Sequence, residues 1–170
     1  MFIYELEFKV RDYECDLQGI VNNSVYQNYL EHTRHEFLLD NNVSFDLLHQ
    51  QGVDAVVARI EMAYKTPLRS GDEFISKLYV TKEGVKYVFH QTIFRKTDNK
   101  VCLKAKVDTV VLINGKLSSS HPQLDRLISE IIPQPGIRNW ITWLENIINN
   151  VCNNYHSLRV YQENNWNKDD

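Results

Sequence analysis

The stretch best suited to chemistry is Asp16-Leu17-Gln18-Gly19-Ile20-Val21-Asn22-Asn23-Ser24. A carboxylate can take a proton from water or attack a carbonyl directly. Asn22, Asn23 and Ser24 are all suitable helix N-caps, and a long helical pattern follows them. The first N–H groups of a helix lack intrahelical acceptors and sit at the positive end of its dipole, so they can hold a developing oxyanion. A carboxylate beside such donors is the pairing that acyl transfer needs. Gly19 fits the same stretch as a tight turn without a Cβ, which lets a ligand or another backbone come close. Aspartate is also a favourable cap for a turn or a helix, so the residues alone leave Asp16 two roles.

Other constellations are less specific. His32, His35 and Glu36 share a helix, but the order His32-Thr33-Arg34-His35-Glu36 lacks the His-Glu-x-x-His spacing that puts two imidazoles and a carboxylate around zinc. A solvated face is expected there, and no metal. Glu31 and Arg34 are three apart and fit a helix-face ion pair. Nucleophile-elbow, P-loop and dinucleotide motifs are absent from the sequence.

The elements that must position these residues follow from periodicity. Tyr4, Leu6, Phe8 and Val10 alternate with charged residues, which predicts a half-buried strand. Ser24 to Leu39 is expected to be a helix with a buried stripe at positions 26, 29, 30, 33, 37 and 38, Thr33 being the polar exception. Ser44 to Gln51 reads as a short helix ended by Gly52. Val56, Ala58, Ile60, Met62 and Tyr64 are expected on one face of a strand that stops before Pro67. Residues 73 to 81, 85 to 96 and 101 to 113 read as strands, separated by Lys82-Glu83-Gly84 and Thr97-Asp98-Asn99 as hairpin loops. Asn114-Gly115 is another turn signal, and Leu124 to Ile132 reads as a short helix. One strand, one long helix and an antiparallel meander form an α+β layout. Pro133-Gln134-Pro135-Gly136 breaks the pattern, so we divide the chain at 1–132 and 133–170. Ile137, Trp140, Ile141, Leu144, Ile147, Ile148 and Val151 then repeat at helical spacing, ahead of a polar tail.

The bulk composition sets outer limits. The chain has 170 residues, 43% hydrophobic and 24% charged, with a net charge of -3, so it carries no basic footprint for nucleic acid. Cys15, Cys102 and Cys152 are odd in number and far apart, which suits a reducing compartment better than a disulfide framework or a zinc site. No stretch reaches the length of a membrane span. A soluble, cytoplasmic protein is the expectation.

The chain resembles the hotdog-fold acyl-CoA thioesterases of the 4-hydroxybenzoyl-CoA thioesterase type. The residues that carry the likeness are Val10, Asp16, Gly19, Ile20, Val21, Tyr26, Tyr29, Glu31, Arg34, Glu36 and Phe37, with Pro67 and Gly71-Asp72 downstream. The likeness spans about residues 2 to 131. It implies a five-stranded antiparallel sheet wrapped around the long helix; residues 133–170 lie outside the likeness, and their helical spacing alone makes them a C-terminal helical extension. It further implies a homodimer formed through the second strand, about residues 53 to 64, with active sites between subunits, or a homotetramer in which such dimers pair further. Asp16 takes the catalytic position, as general base or nucleophile. The Asn23 N–H faces the thioester carbonyl, and Gly19, Val21 and Asn22 form the turn by which substrate approaches. Several relatives have Tyr or His in place of Asn23, a change to which a backbone N–H is indifferent. Some have Tyr in place of Asp12.

The implied activity is hydrolysis of an acyl-CoA thioester to free acid and CoA. Coenzyme A is then part of the substrate, and no cofactor is implied. Its phosphates would need cations, for which Arg59, Lys65, Arg69 and Lys82 are the candidates. The alternatives are a thioesterase for acyl groups on an acyl-carrier protein, and a hotdog dimer that binds an acyl ligand or a partner without turnover. A hotdog hydratase is disfavoured, since the Asp-x-Asn-Pro-x-x-x-His sort of pattern is missing.

Overall fold

The structure is a computed structural model that describes residues 2–131. The elements run β1 (Tyr4–Lys9), a single 3₁₀ turn (Asp12–Glu14), α1 (Val25–Asp40), α2 (Phe45–Gln50), β2 (Val53–Tyr64), β3 (Glu73–Glu83), β4 (Lys86–Arg95), β5 (Val101–Ile113), β6 (Lys116–Ser118) and α3 (Pro122–Ile131). The long strands form one antiparallel sheet in the order β1-β3-β4-β5-β2.

Five long strands are present as expected, and a sixth, short strand joins them. Asn114 and Gly115 have φ of 50° and 76°, the left-handed pair that a two-residue hairpin requires. The chain therefore folds straight back, and β6 pairs with the end of β5. The β3–β4 connection is tighter than the sequence suggests. Lys82 and Glu83 still pair with Tyr87 and Lys86, so only Gly84-Val85 turns.

α1 buries the expected stripe, Tyr26, Tyr29, Leu30, Thr33, Phe37 and Leu38, and Arg34 besides. Its first half packs into a cluster with Leu68, Phe74, Ile93 and Leu103, and its second half into one with Leu78, Phe89, Val107 and Val111. Polar groups cross the helix between the two clusters. Thr33 Oγ1 donates to the Tyr29 carbonyl at 2.7 Å and lies 2.9 Å from Ser76 Oγ. Arg34 Nη1 donates to Gln91 Oε1 at 2.9 Å, and Gln91 Nε2 donates to the Leu30 carbonyl at 3.0 Å. The expected Glu31–Arg34 pair on the helix surface is thus replaced. Arg34 turns inward to Gln91, and Glu31 approaches His35 instead, at 3.8 Å. His32 likewise approaches Glu36 at 3.8 Å on an exposed face.

β2 departs from the alternation read in the sequence. Its register against β5 shifts between Val57 and Arg59, leaving Ala58 as the extra residue of a bulge. Val53 is buried before the bulge, whereas Ile60 and Met62 pack on the core beyond it. One inserted residue moves the inward set from odd to even positions, so Val56 does not share a face with Ile60. The helical repeat expected between 137 and 151 lies outside the described residues.

Phe74 is fully buried, with its ring 5.0 Å from Phe8 and 4.8 Å from Tyr29. Phe74→Ala is expected to lower stability by about 3–5 kcal/mol, read as a shift of the urea midpoint without a change in slope. A loss under about 1 kcal/mol would mean that this half of the core is loosely packed.

Candidate active site

The segment between β1 and α1 is held at many points. Val10 N donates to the Asp72 carbonyl at 2.9 Å, and Gly71 N to the Val10 carbonyl at 3.0 Å, which fixes where β1 ends. Glu14 Oε2 then accepts from the Arg11 N–H and from the Tyr29 hydroxyl, both at 2.7 Å. Burial, reinforced by that carboxylate, pushes the Tyr29 phenol well above its ordinary pKa, so it stays a proton donor. Cys15 and Val21 form a β-bridge, Asn22 N donates to the Glu14 carbonyl at 2.9 Å, and Val21 N to the Leu68 carbonyl at 2.9 Å.

Inside this clasp the chain makes a small loop. Asp16 N donates to the Ile20 carbonyl and Gly19 N to the Asp16 carbonyl, each at 2.9 Å. Gly19 has a φ of 71°, a conformation that a side chain would strain. Asp16 Oδ1 accepts from Gln18 N at 2.8 Å, with Ile20 N further off at 3.5 Å. The carboxylate thus closes its own turn with one oxygen, and the other, Oδ2, has no bonded donor among the described residues. The cap and catalytic readings are compatible because they use different oxygens.

The start of α1 is capped from Asn22. Its Oδ1 accepts from Ser24 N at 3.0 Å and Ser24 Oγ at 2.9 Å, and its carbonyl accepts from Val25 N at 3.0 Å. Ser24 itself makes no side-chain cap. Among the described residues the Asn23 N–H has no hydrogen-bonded acceptor, which leaves it as a donor ahead of the helix.

Asp16 and Asn23 line one cavity of about 490 Å³, together with Val21, Tyr26, Tyr64, Lys65 and Cys102. Tyr64 closes the cavity from β2, donating to the Asn23 carbonyl at 3.1 Å and meeting the Tyr26 ring edge-on at 5.5 Å. Tyr26 is 3% exposed, so it is the core residue expected from the helical stripe and also part of the cavity wall. Cys102 is buried there, and burial raises its thiol pKa, keeping it protonated.

The four candidate cations separate. Lys65 lines the cavity. Arg69 Nη1 reaches the Gly19 carbonyl at 3.4 Å, beside the Asp16 turn. Arg59 pairs with Glu61 at 2.8 Å on an exposed part of β2 and does not line the cavity. Lys82 stands elsewhere: its Nζ lies 3.4 Å from the centroid of the Tyr87 ring and 3.5 Å from Asp125 Oδ1. Tyr64, Thr66 and Cys102 are members of the site that sequence reasoning missed. The available signal was Pro67, just past the end of β2 at Tyr64 and next to Leu68, whose carbonyl accepts from Val21 N.

A family model described as the thioesterase-like superfamily matches residues 10–133. A chloroplastic acyl-acyl carrier protein thioesterase of Arabidopsis thaliana is 38% identical over 112 residues, which cover 65% of this chain and 59% of that protein. The chain therefore spans less than two thirds of the length of this relative. A putative esterase of Aquifex aeolicus is 30% identical over 119 residues, covering 69% of this chain and 90% of the other. Among solved structures, a 1,4-dihydroxy-2-naphthoyl-CoA thioesterase from Synechocystis aligns with a TM-score of 0.71 at 14% identity, over 76% of this chain and 98% of that one. That likeness is one of fold.

The cap at Asn22 gives a direct test of how the donor end is held. Asn22→Ala is expected to cost about 1 kcal/mol of stability, while Asn22→Asp, which keeps the acceptor oxygen, retains most of it. Urea denaturation of the two variants measures the difference, and equal stability for both would remove Asn22 from the capping role.

Proposed function

The chain belongs to the thioesterase-like superfamily, and from that premise we propose that it hydrolyses acyl thioesters, with acyl-CoA as the substrate class. One observation carries the reading: a carboxylate with one oxygen uncommitted among the described residues, and a backbone N–H with no acceptor among them, line the same cavity. Asp16 takes a proton from water, the hydroxide adds to the thioester carbon, and the oxyanion rests on the Asn23 N–H at the helix start. The tetrahedral centre then collapses, the C–S bond breaks, and the thiolate leaves to take up the proton. If Asp16 attacks instead, the first product is a mixed anhydride on Asp16, which water opens to the same acid. Gly19, Val21 and Asn22 shape the approach, and Lys65 in the cavity wall and Arg69 beside the Asp16 turn are the cations whose positions support contact with phosphate.

Asp16→Asn keeps the shape and removes the basicity. Catalytic efficiency is expected to fall by at least about a hundredfold with the fold intact, measured as thiol release on a panel of acyl-CoA substrates. Near-full activity in this variant would refute the mechanism. In single-turnover hydrolysis in labelled water, label in the Asp16 carboxylate identifies direct attack followed by opening at the Asp16 carbon, because general-base hydrolysis puts the label only in the product acid.

A second reading is favoured by the acyl-acyl carrier protein thioesterase among the relatives: the acyl group arrives on a carrier protein. Kinetics with matched acyl-CoA and acyl-carrier substrates decide between them, because only the carrier needs a docking surface.

Association of subunits belongs to the same proposal. β2 is an edge strand whose N–H and C=O groups face away from β5 without a partner strand among the described residues. Val56 and Val57 on it are each 41% exposed. An apolar open edge invites pairing with a second copy. Light scattering at micromolar concentration is expected to give the mass of a dimer or tetramer, and a stable monomer would count against a site shared between subunits.

A further inference from the structure

Asn23 precedes α1, and the aim of its N–H depends on the two peptide groups that meet at its Cα. Each peptide group is planar and rigid, which leaves rotation about that Cα as the local freedom. The peptide between Asn22 and Asn23 is held by its carbonyl, which accepts from Val25 N at 3.0 Å. The peptide between Asn23 and Ser24 is held at both ends. Its N–H, on Ser24, donates to Asn22 Oδ1 at 3.0 Å, and its carbonyl, on Asn23, accepts from the Tyr64 hydroxyl at 3.1 Å. Among the described residues no other donor is bonded to that carbonyl. The ties to Asn22 and Val25 lie inside the turn and move with it. Tyr64 is the tie that comes from outside.

Tyr64 is itself a fixed reference. It ends β2 and pairs with Leu103, which is fully buried, and the following Lys65 N donates to the Cys102 carbonyl at 2.8 Å. Its ring meets the buried Tyr26 ring edge-on at 5.5 Å. A phenylalanine would keep that ring contact, and at 48% exposure of Tyr64 water could satisfy the hydroxyl. Packing therefore does not account for a hydroxyl turned onto the backbone beside the donor.

We propose that Tyr64 is a positioning residue for thioester hydrolysis: its hydroxyl holds the Asn23 carbonyl, so that the Asn23 N–H stays aimed at the oxyanion. This role rests on the activity proposed for Asp16 and Asn23. Tyr64 acts through Asn23, not on the substrate. A donor aimed in advance meets charge as it develops, so its aim counts for more in the transition state than in the ground state. Without the hydroxyl the cap at Asn22 still forms, but the donor loses its outside reference.

Tyr64→Phe is expected to lower kcat by about tenfold, the scale of one hydrogen bond, at unchanged KM on the acyl-CoA that the wild type hydrolyses best. Such a split marks an interaction made only in the transition state. Tyr64→4-aminophenylalanine keeps a donor at the same place and is expected to hold kcat within about threefold of wild type. Without substrate, the Asn23 carbonyl carbon resonance is expected to move in Tyr64→Phe and return in the amino variant, while those of Leu30 to Phe37 stay. A wild type inactive on both acyl-CoA and acyl-carrier substrates would overturn thioester hydrolysis itself, and this role with it. With an active wild type, unchanged kcat in Tyr64→Phe, a rise in KM as the sole effect, an unmoved Asn23 resonance, or an amino variant as slow as the Phe variant would overturn the role of Tyr64 alone. Should Tyr64→Phe not fold, an amino variant slowed by about tenfold overturns it as well.

Discussion

Seven side chains of α1 are buried, and among the described residues the apolar surface long enough to receive them is the inner face of the sheet. That burial is the constraint from which the site follows. Once Tyr26, Tyr29 and Leu30 are seated among Phe74, Ile93 and Leu103, the rotation and height of the helix are set, and its first N–H groups can point to only one place. The polar crossing at Thr33–Ser76 and Arg34–Gln91–Leu30 sharpens the seating. Apolar contacts tolerate sliding, whereas a buried hydrogen bond that slips leaves unsatisfied groups at a cost of about 1–3 kcal/mol each.

The loop before the helix is held by the same logic. Backbone hydrogen bonds keep its Asp16 carboxylate beside the helix end. The Cys15–Val21 bridge closes the loop, Leu68 and Glu14 tie it to neighbouring chain, and Tyr29 anchors Glu14 from within α1. Loop and helix are thereby locked together through a residue of the helix itself. Tyr64 adds a tie from β2 to the Asn23 carbonyl, so the edge strand also has a stake in the geometry of the site.

The buried Arg34 illustrates how a sequence reading goes astray when it considers a helix by itself. Spacing of three makes Glu31 and Arg34 neighbours on any helix. Which of them turns inward depends on a Gln some sixty positions later, on β4, and periodicity carries no information about that encounter. The bulge at Ala58 is similar: alternation along β2 is clear in the sequence, but the extra residue shows only in the pairing with β5. In both cases the deciding partner is distant in the chain.

The sequence by itself determined the elements, their order, the buried stripe of α1 and the Asp16–Asn23 stretch, because periodicity, capping residues and glycine act over a few neighbouring positions. The two-residue turn at Asn114-Gly115 was legible for the same reason, although the short strand it creates was not. Tertiary structure decided which residues from other elements face that stretch. It brought Tyr64, Lys65 and Cys102 to Asp16, sent Lys82 to Tyr87 and Asp125, and left Arg59 paired with Glu61 on the surface. Cations look alike in a sequence, and only the register of the strands assigns each to a neighbour.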